Sequence, residues 1–276
     1  RSSAASDVYK RQPQSQSEVA ERGTYGTSDW ELMTDGTMIV HPGAPTEFVI
    51  VNQPWRSRDV RRLVFVEEEG QKYEGHPNGD FRNLASLTYL DLSGYSLGVS
   101  RVAPVFEGCS SLTSLDLSPL DVSGVTDASY MFKDCSSLTA IDLSLFEGIK
   151  LTQARSMFEG CSSLTSLDLS PLKKSQPADS RSMFKDCSSL ASLDVSPLDV
   201  SHLHYAPARM FQGCSSLTSL DLSSFDLSGS CGAAAAQWSA FTKVLTAMFK
   251  DCSSLTSLKL PCFDTSEVTD MAGMFR

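Results

Sequence analysis

Leucines recur along the chain with the spacing L-x-x-L-x-L, and one copy consists of Leu112, Leu115 and Leu117. Leu115 and Leu117 flank Asp116, and this alternation predicts a short strand that turns its leucines inward and its aspartate outward. Pro119 follows two residues later and stops the strand. Each copy therefore predicts one short strand followed by a turn.

The copies return at a nearly constant interval. The leucine segments begin with Cys-Ser-Ser-Leu in six copies, at Cys109, Cys135, Cys161, Cys187, Cys214 and Cys252, and only the last interval is clearly longer than the others. A phenylalanine stands three residues before each of these cysteines. One unit is too small to bury its own apolar side chains, whereas stacked units join them into one continuous core. The period therefore predicts a tandem-repeat solenoid.

The predicted fold is an α/β repeat solenoid, a leucine-rich-repeat-like stack of about eight short parallel strands with irregular or short-helical return limbs. We expect strands near eight leucines: Leu63, Leu87, Leu112, Leu138, Leu164, Leu190, Leu217 and Leu255. Upstream, Asp35-Gly36 separates two apolar segments, which predicts a β-hairpin. This hairpin would cover the N-terminal end of the stack, with Trp30 and Trp55 as lids.

Four segments are expected along the chain. Residues 1–12 resemble the translation of a sequencing adapter and are excluded from the fold, and residues 13–22 are a polar stretch expected to be a disordered lead-in. Residues 23–80 form the N-terminal cap with the first strand, and residues 81–276 form the solenoid. An alanine-rich insertion at about 229–240 favours a helix. The absence of a polar terminal cap predicts a solenoid truncated at its C-terminus.

The charge balance narrows the class of partner. The formal net charge is −10 and the isoelectric point is about 4.9. An acidic chain is a poor partner for nucleic acid and for anionic membrane surfaces. No apolar run approaches the length that spans a bilayer. We therefore expect no nucleic acid partner and no membrane insertion.

An aspartate stands at the centre of most predicted strands, and serines follow it. The predicted binding face comprises Asp91, Asp116, Asp142, Asp168, Asp194, Asp221, Lys259, Ser118, Ser144 and Ser170. Three interpretations stay open: a solvated polar face, a face for a cationic or Ca²⁺-bridged partner, and an intrinsic Ca²⁺ site. No EF-hand or glycine–aspartate nonapeptide pattern is present, so the prediction is no cofactor, with Ca²⁺ as the alternative.

The repeat cysteines form a structural column: Cys109, Cys135, Cys161, Cys187, Cys214 and Cys252. Leu84 holds the same place in the first unit, which favours buried thiols that pack as small apolar groups. Disulfides between neighbouring units are the alternative, and parallel Cβ vectors do not favour them. Cys231 and Cys262 lie off the column, and a bond between them stays open.

Catalytic and metal-binding motifs are not evident in this sequence. His202 and His204 form an H-x-H without a third ligand, which favours a solvated loop over a metal site. His41 and His76 have no evident partners. The H-E-x-x-H, G-x-S-x-G and P-loop patterns are missing. We therefore predict no metal, no catalytic residue and no enzyme.

The units resemble the bacterial surface protein repeat, a branch of the BspA-like leucine-rich repeats with a period of about 26 residues. The shared pattern is M-F-x-G-C-S-S-L-T-S-L-D-L-S, and residues 263–275 match the rest of it as F-D-T-S-E-V-T-D-M-A-G-M-F. The resemblance implies an exported surface or secreted protein associated with adhesion. It also implies no catalytic residues.

The predicted function is that of a non-enzymatic recognition or adhesion segment of an exported bacterial surface protein, located at the cell surface or secreted. Its partner would be a protein or glycan on a host or neighbouring-cell surface, bound on the strand-lined acidic face. One alternative is a passive spacer or stalk that presents flanking domains. Another is an enzyme that uses the acidic face, which would need a concave pocket with convergent carboxylates.

Overall fold

A computed structural model describes residues 17–44, 53–75, 81–96, 104–201, 203, 205, 207–225, 247–260 and 273–275. Several predictions from the sequence lie outside these residues. They concern the adapter-like segment 1–12, the insertion at about 229–240, His76, His202, His204, Cys231 and Cys262.

The described residues contain nine strands in three sheets. The strands are β1 (Val19–Tyr25), β2 (Ser28–Met33), β3 (Thr37–Val40), β4 (Arg62–Phe65), β5 (Tyr73–Glu74), β6 (Tyr89–Asp91), β7 (Tyr95–Ser96), β8 (Ser219–Asp221) and β9 (Ser257–Lys259). The sheet orders are β1-β2-β3-β4-β6, β5-β7 and β8-β9. Three short 3₁₀ turns, at Pro54–Arg56, Ser144–Phe146 and Ser170–Leu172, are the helical elements of this part of the chain.

The predicted N-terminal hairpin is present. Strands β2 and β3 pair antiparallel, and Asp35 Oδ1 accepts a 2.9 Å hydrogen bond from the Thr37 amide in the turn. Strand β3 then pairs parallel with β4, so the hairpin continues the sheet of the first repeat. Strand β1 begins at Val19, and the last four residues of the expected lead-in therefore belong to the sheet.

Trp30 and Trp55, the two residues predicted as lids, belong to the core. Trp55 is 1% exposed and packs edge-on against Phe65 and Tyr73, with ring centroids 5.6 and 5.9 Å away. Trp30 is 5% exposed, and the guanidinium of Arg58 lies 4.4 Å from its ring centroid. The N-terminal region is thus held by aromatic packing that merges with the repeat core.

Strands form at only four of the eight predicted positions, as β4, β6, β8 and β9. The matching segments 114–116, 140–142, 166–168 and 192–194 are not strands. Few backbone hydrogen bonds join their layers. Two of them are donated by the Ser163 amide to the Ser136 carbonyl at 3.2 Å and by the Thr165 amide to the Thr139 carbonyl at 3.4 Å. The prediction of a continuous row of eight parallel strands is therefore wrong for the central repeats.

The return limbs were expected to be irregular or short-helical, and the described limbs are irregular, since they are chains of tight turns. Within one layer, Met131 donates to the Ala128 carbonyl at 3.2 Å and Cys135 to the Phe132 carbonyl at 3.1 Å. The alternate residues donate to the next layer, as Phe132 does to the Met157 carbonyl at 3.0 Å. This pattern gives the amides of the limb a partner in their own layer or the next one.

Left-handed residues make these turns possible. Tyr130 has φ 61° and Asp134 has φ 59°, and each is the third residue of a turn closed by an i to i+3 hydrogen bond. A positive φ at that place is the requirement of a type II turn. Two turns of this limb therefore have a left-handed third residue, a conformation that neither a helix nor a strand contains.

The phenylalanines form one column. Neighbouring rings from Phe81 to Phe275 have centroids 5.5 to 5.9 Å apart and interplanar angles of 14° or less. The column runs without a break from Phe211 to Phe249, across the longest interval between cysteines. The leucines pack against it, since Leu164 is fully buried and Leu115 and Ile141 are half-buried in the same cluster.

The column predicts where truncation is costly. Phe158→Ala should lower the free energy of unfolding by about 3–5 kcal/mol, because Phe158 is fully buried and packed on both sides. Chemical denaturation with the change in midpoint as readout measures it. Phe275 is 62% exposed, so Phe275→Ala is the matched control and should cost less than about 1.5 kcal/mol. Equal losses at both sites would contradict a continuous buried column.

Candidate binding face and thiol column

The predicted aspartates close turns. Each Oδ1 accepts a hydrogen bond from the amide of the serine two residues later, at 2.8–2.9 Å. The pairs are Asp91–Ser93, Asp116–Ser118, Asp142–Ser144, Asp168–Ser170, Asp194–Ser196 and Asp221–Ser223. This arrangement is an Asx turn, which ends the leucine segment of each layer. The carboxylates therefore have a structural role as well as a charge.

Hydrogen bonds lower the pKa of three carboxylates of the row, those of Asp142, Asp168 and Asp221. The amide and hydroxyl of Ser144 lower the pKa of Asp142, and the nearby Asp168 carboxylate opposes this only weakly. Bonds from Ser223 and then from Lys259, whose Nζ lies 3.0 Å from Oδ2, lower the pKa of Asp221 to about 2. Serine donors thus outweigh the repulsion between stacked carboxylates.

Exposed hydroxyl groups flank the aspartate row. Serines precede it at Ser114, Ser166, Ser192, Ser219 and Ser257, and threonines at Thr113, Thr139, Thr165, Thr218 and Thr256. The Thr256 hydroxyl donates to the Thr218 carbonyl of the preceding layer at 3.2 Å. The threonine row was missed by the sequence prediction, although its fixed position after most of the repeat cysteines was the available signal. The face combines carboxylate acceptors with hydroxyl groups.

A cleft of about 360 Å³ interrupts this face. Tyr89, Asp91, Ser93, Ser114 and Asp116 are among the residues that line it. It lies beside β6, which is the edge strand of the five-stranded sheet. The first two aspartates of the row therefore border a recess, because the strand pairing stops between their layers.

A larger groove of about 1230 Å³ lies on the N-terminal region. Its lining includes two side-chain pairs: an ion pair of Arg22 with Glu31 at 2.8 Å, and a hydrogen bond between His41 and Glu68 at 2.7 Å. The expectation that His41 has no partner is therefore wrong. These pairs place hydrogen-bond donors and acceptors side by side along the groove. The sequence pattern did not predict this groove.

The cysteine column is chemically uniform. The six repeat thiols are free; five are buried and Cys252 is half-buried. Each Sγ lies 3.0–3.1 Å from the carbonyl oxygen of a phenylalanine in a preceding layer, as in the pair Cys161 and Phe132. That carbonyl also accepts the amide of Cys135 in its own layer. The thiols therefore bridge layers as weak donors, beyond filling apolar space.

Burial controls the acidity of these thiols. It raises the pKa of Cys109 and of Cys187 to about 12, and the pKa of the less buried Cys252 to about 11. A thiol that stays protonated is a poor nucleophile and a poor metal ligand. The column is therefore inert in the folded protein at neutral pH.

Neither a metal cluster nor a membrane-spanning helix occurs among the described residues. No cluster of three or more histidine, cysteine or acidic side chains there is placed to hold a metal ion. No helix in that part of the chain has the length and apolar character to cross a membrane.

The repeated layers of leucine segment, Asx turn and turn-built limb define a tandem-repeat protein. The chain belongs to the family described as Mycoplasma protein of unknown function, DUF285, whose profile matches residues 81–193, 150–243 and 178–275. The overlapping matches cover the repeat region from Phe81 onward. A comparison with curated proteins gives no match.

Two solved structures are similar to this chain. A leucine-rich repeat protein from Eubacterium ventriosum ATCC 27560 has 13% identity and a TM-score of 0.28, with 85% of this chain and 82% of that one covered. A leucine rich cell surface protein from Faecalibacterium prausnitzii A2-165 has 16% identity and a TM-score of 0.18, with 88% and 95% covered.

The thiol burial predicts the order of labelling. In native protein at pH 8, iodoacetamide should modify Cys252 before Cys161, because Cys252 is more accessible and burial raises the pKa of Cys161 well above its usual value. Peptide mass spectrometry after timed quenching resolves the two sites. Unfolding in urea is the control and should equalise them. Faster labelling of Cys161 in the native state would show that the column is open.

The same pKa shifts predict a loss of stability in alkali. Between pH 9 and 12 the Cys187 thiol stays protonated when folded and ionises when unfolded, so unfolding releases a proton and stability falls as the pH rises. Cys187→Ser removes this ionisation. Its free energy of unfolding should fall less steeply across that window, by about 1.4 kcal/mol per pH unit relative to the parent. Identical slopes would contradict the shift.

Proposed function

We propose that this chain is the recognition segment of an exported bacterial surface protein of the BspA-like leucine-rich repeat class. Its stacked layers form a solenoid, and it binds a protein or glycan on a host or neighbouring-cell surface without catalysis. The observation that carries the proposal is the row of aspartates, exposed from Asp116 onward, flanked by exposed threonine and serine hydroxyls. The pKa values of Asp142 and Asp168 in this row are lowered by their serine donors.

Acceptor capacity supports binding at this row. Two carboxylate oxygens offer about four acceptor positions, whereas the amide and hydroxyl of one serine supply at most two donors. Asp168, for example, accepts the Ser170 amide at 2.8 Å and its hydroxyl at 3.0 Å. The remaining positions suit partner groups that donate hydrogen bonds or carry positive charge. Ammonium, guanidinium and sugar hydroxyl groups meet that requirement.

Preorganisation of the aspartate carboxylates also supports binding at this row. The Asx turns fix each carboxylate before a partner arrives, and the backbone behind the row is held by layers on both sides. Binding therefore orders few side chains, which reduces the entropic cost of association. A row repeated once per layer also offers one partner many equivalent contacts, which favours extended partners over small molecules.

The test neutralises the row without breaking its turns. The variant carries Asp142→Asn, Asp168→Asn and Asp194→Asn, because asparagine keeps the Oδ1 acceptor while it removes the charge. We expect Kd to rise at least about tenfold for partners that bind this face, with a weaker dependence on salt. Biolayer interferometry against purified extracellular-matrix proteins, surface polysaccharides and a deca-lysine peptide measures it.

The control neutralises three acidic residues outside the row, with Asp121→Asn, Glu147→Gln and Glu69→Gln. Its Kd should stay within about twofold of the parent value, and both triple variants should keep the parent melting temperature within about 2 °C. An unchanged Kd for the row variant would reject this face. Failure of the parent chain to bind any probe on the panel would instead favour a spacer or stalk.

A further inference from the structure

The residue before each repeat cysteine has a positive φ, between 59° and 76°, and its identity alternates. In chain order, beginning with the residue before Leu84, these residues are Asn83, Gly108, Asp134, Gly160, Asp186, Gly213 and Asp251. We call a layer with glycine at this position a Gly layer, and one with aspartate or asparagine an Asp layer. Every neighbouring pair of described layers in this column joins one Gly layer to one Asp layer.

The alternation has a steric basis. A Cβ atom on Gly160 would lie 2.4 Å from Asp134 Oδ1 of the preceding layer, and one on Gly213 would lie 2.2 Å from Asp186 Oδ1. The corresponding distance from Gly108 to the Asn83 side chain is 2.5 Å. Side-chain contacts this short are repulsive. The polar side chain of an Asp layer therefore occupies the space that the glycine of the next layer leaves empty.

The residue before each aspartate of this column is a lysine, and before the first two glycines it is a glutamate. The lysine holds the aspartate carboxylate in place. Lys185 Nζ lies 2.8 Å from Asp186 Oδ2 in its own layer and 3.0 Å from Glu159 in the Gly layer before it. Lys133 repeats the contact with Asp134 at 2.6 Å. A lysine thus links the aspartate to the neighbouring glutamate, so rotation of the aspartate away from the glycine would break these bonds.

Other columns cannot distinguish one layer from the next. The phenylalanine, cysteine and leucine positions recur in every repeat from residue 106 onward, so a shift by one layer would leave all three columns matched. Such a shift would stack one Asp layer on another. The Cβ atom of one aspartate would then meet the carboxylate of the other, and the lysines of the two layers would lie side by side. A shift by two layers would restore the unlike pairing.

We propose that the alternation of Gly and Asp layers is the stacking rule of this protein. The face of an Asp layer accepts a Gly layer and rejects another Asp layer. The rule sets repeat order and register during folding, and it disfavours exchange of repeats between chains by one layer. The interaction surface is the layer face around this column, and the partner that it fits is an unlike layer.

The test is a mutant cycle on the full chain. Gly160→Asp creates three Asp layers in succession and should lower Tm by about 3–8 °C. The same change in a background with Asp134→Gly and Asp186→Gly restores room on both sides. There the fall should be no larger than that of Gly148→Asp. Circular dichroism melts of all the variants and both backgrounds measure the coupling.

Gly148 is the matched control because it has φ 85° and no atom within 4 Å of a Cβ placed there. Gly148→Asp therefore reports the cost of aspartate in a left-handed conformation without crowding. If Gly160→Asp fails to fold alone, recovery of folding in the second background supports the rule, and failure there overturns it. Equal falls of Tm in the two backgrounds also overturn it.

Discussion

The backbone hydrogen bonds that join one return limb to the next are the interaction on which the rest of the structure depends. In the limb of one layer, alternate amides donate to the layer ahead and the others close turns within the layer, as Phe132 and Cys135 do. A limb without its neighbour would leave every second donor to water and would expose its apolar side chains. One repeat is too small to bury those side chains by itself, so it needs the stack in order to fold.

The apolar columns follow from that ladder. Once the limbs are in register, equivalent side chains lie one above another, which stacks the phenylalanine rings and brings each thiol to the carbonyl of the preceding layer. Both features continue across the longer interval between Cys214 and Cys252. The Phe211 amide lies 3.1 Å from the Met248 carbonyl, and the Phe211 and Phe249 rings stack 5.9 Å apart.

The candidate binding face consists of residues that also form the Asx turns of the repeats. Each aspartate of the row ends its leucine segment by accepting a serine amide, and at Asp142 and Asp168 the same bond lowers the pKa of the carboxylate. The proposed recognition therefore uses residues that already have a structural role, and the frequency of Asp-x-Ser in the repeats does not by itself indicate a ligand. What favours binding is the exposure and the acceptor capacity left after the turn is closed.

Much of this architecture was predictable from residue spacing, because side-chain periodicity is local. The interval between cysteines indicated stacked units, Asp35-Gly36 indicated the hairpin, and the leucine pattern indicated the core. The strands of the central repeats were predicted wrongly, and the sequence left the limbs open between irregular and short-helical. Both outcomes depend on which backbone groups face each other across layers. The alternation of glycine with aspartate could be read in the sequence. Only the tertiary structure showed its cause, because the carboxylate of Asp134 meets the space above Gly160 only after the two layers have stacked.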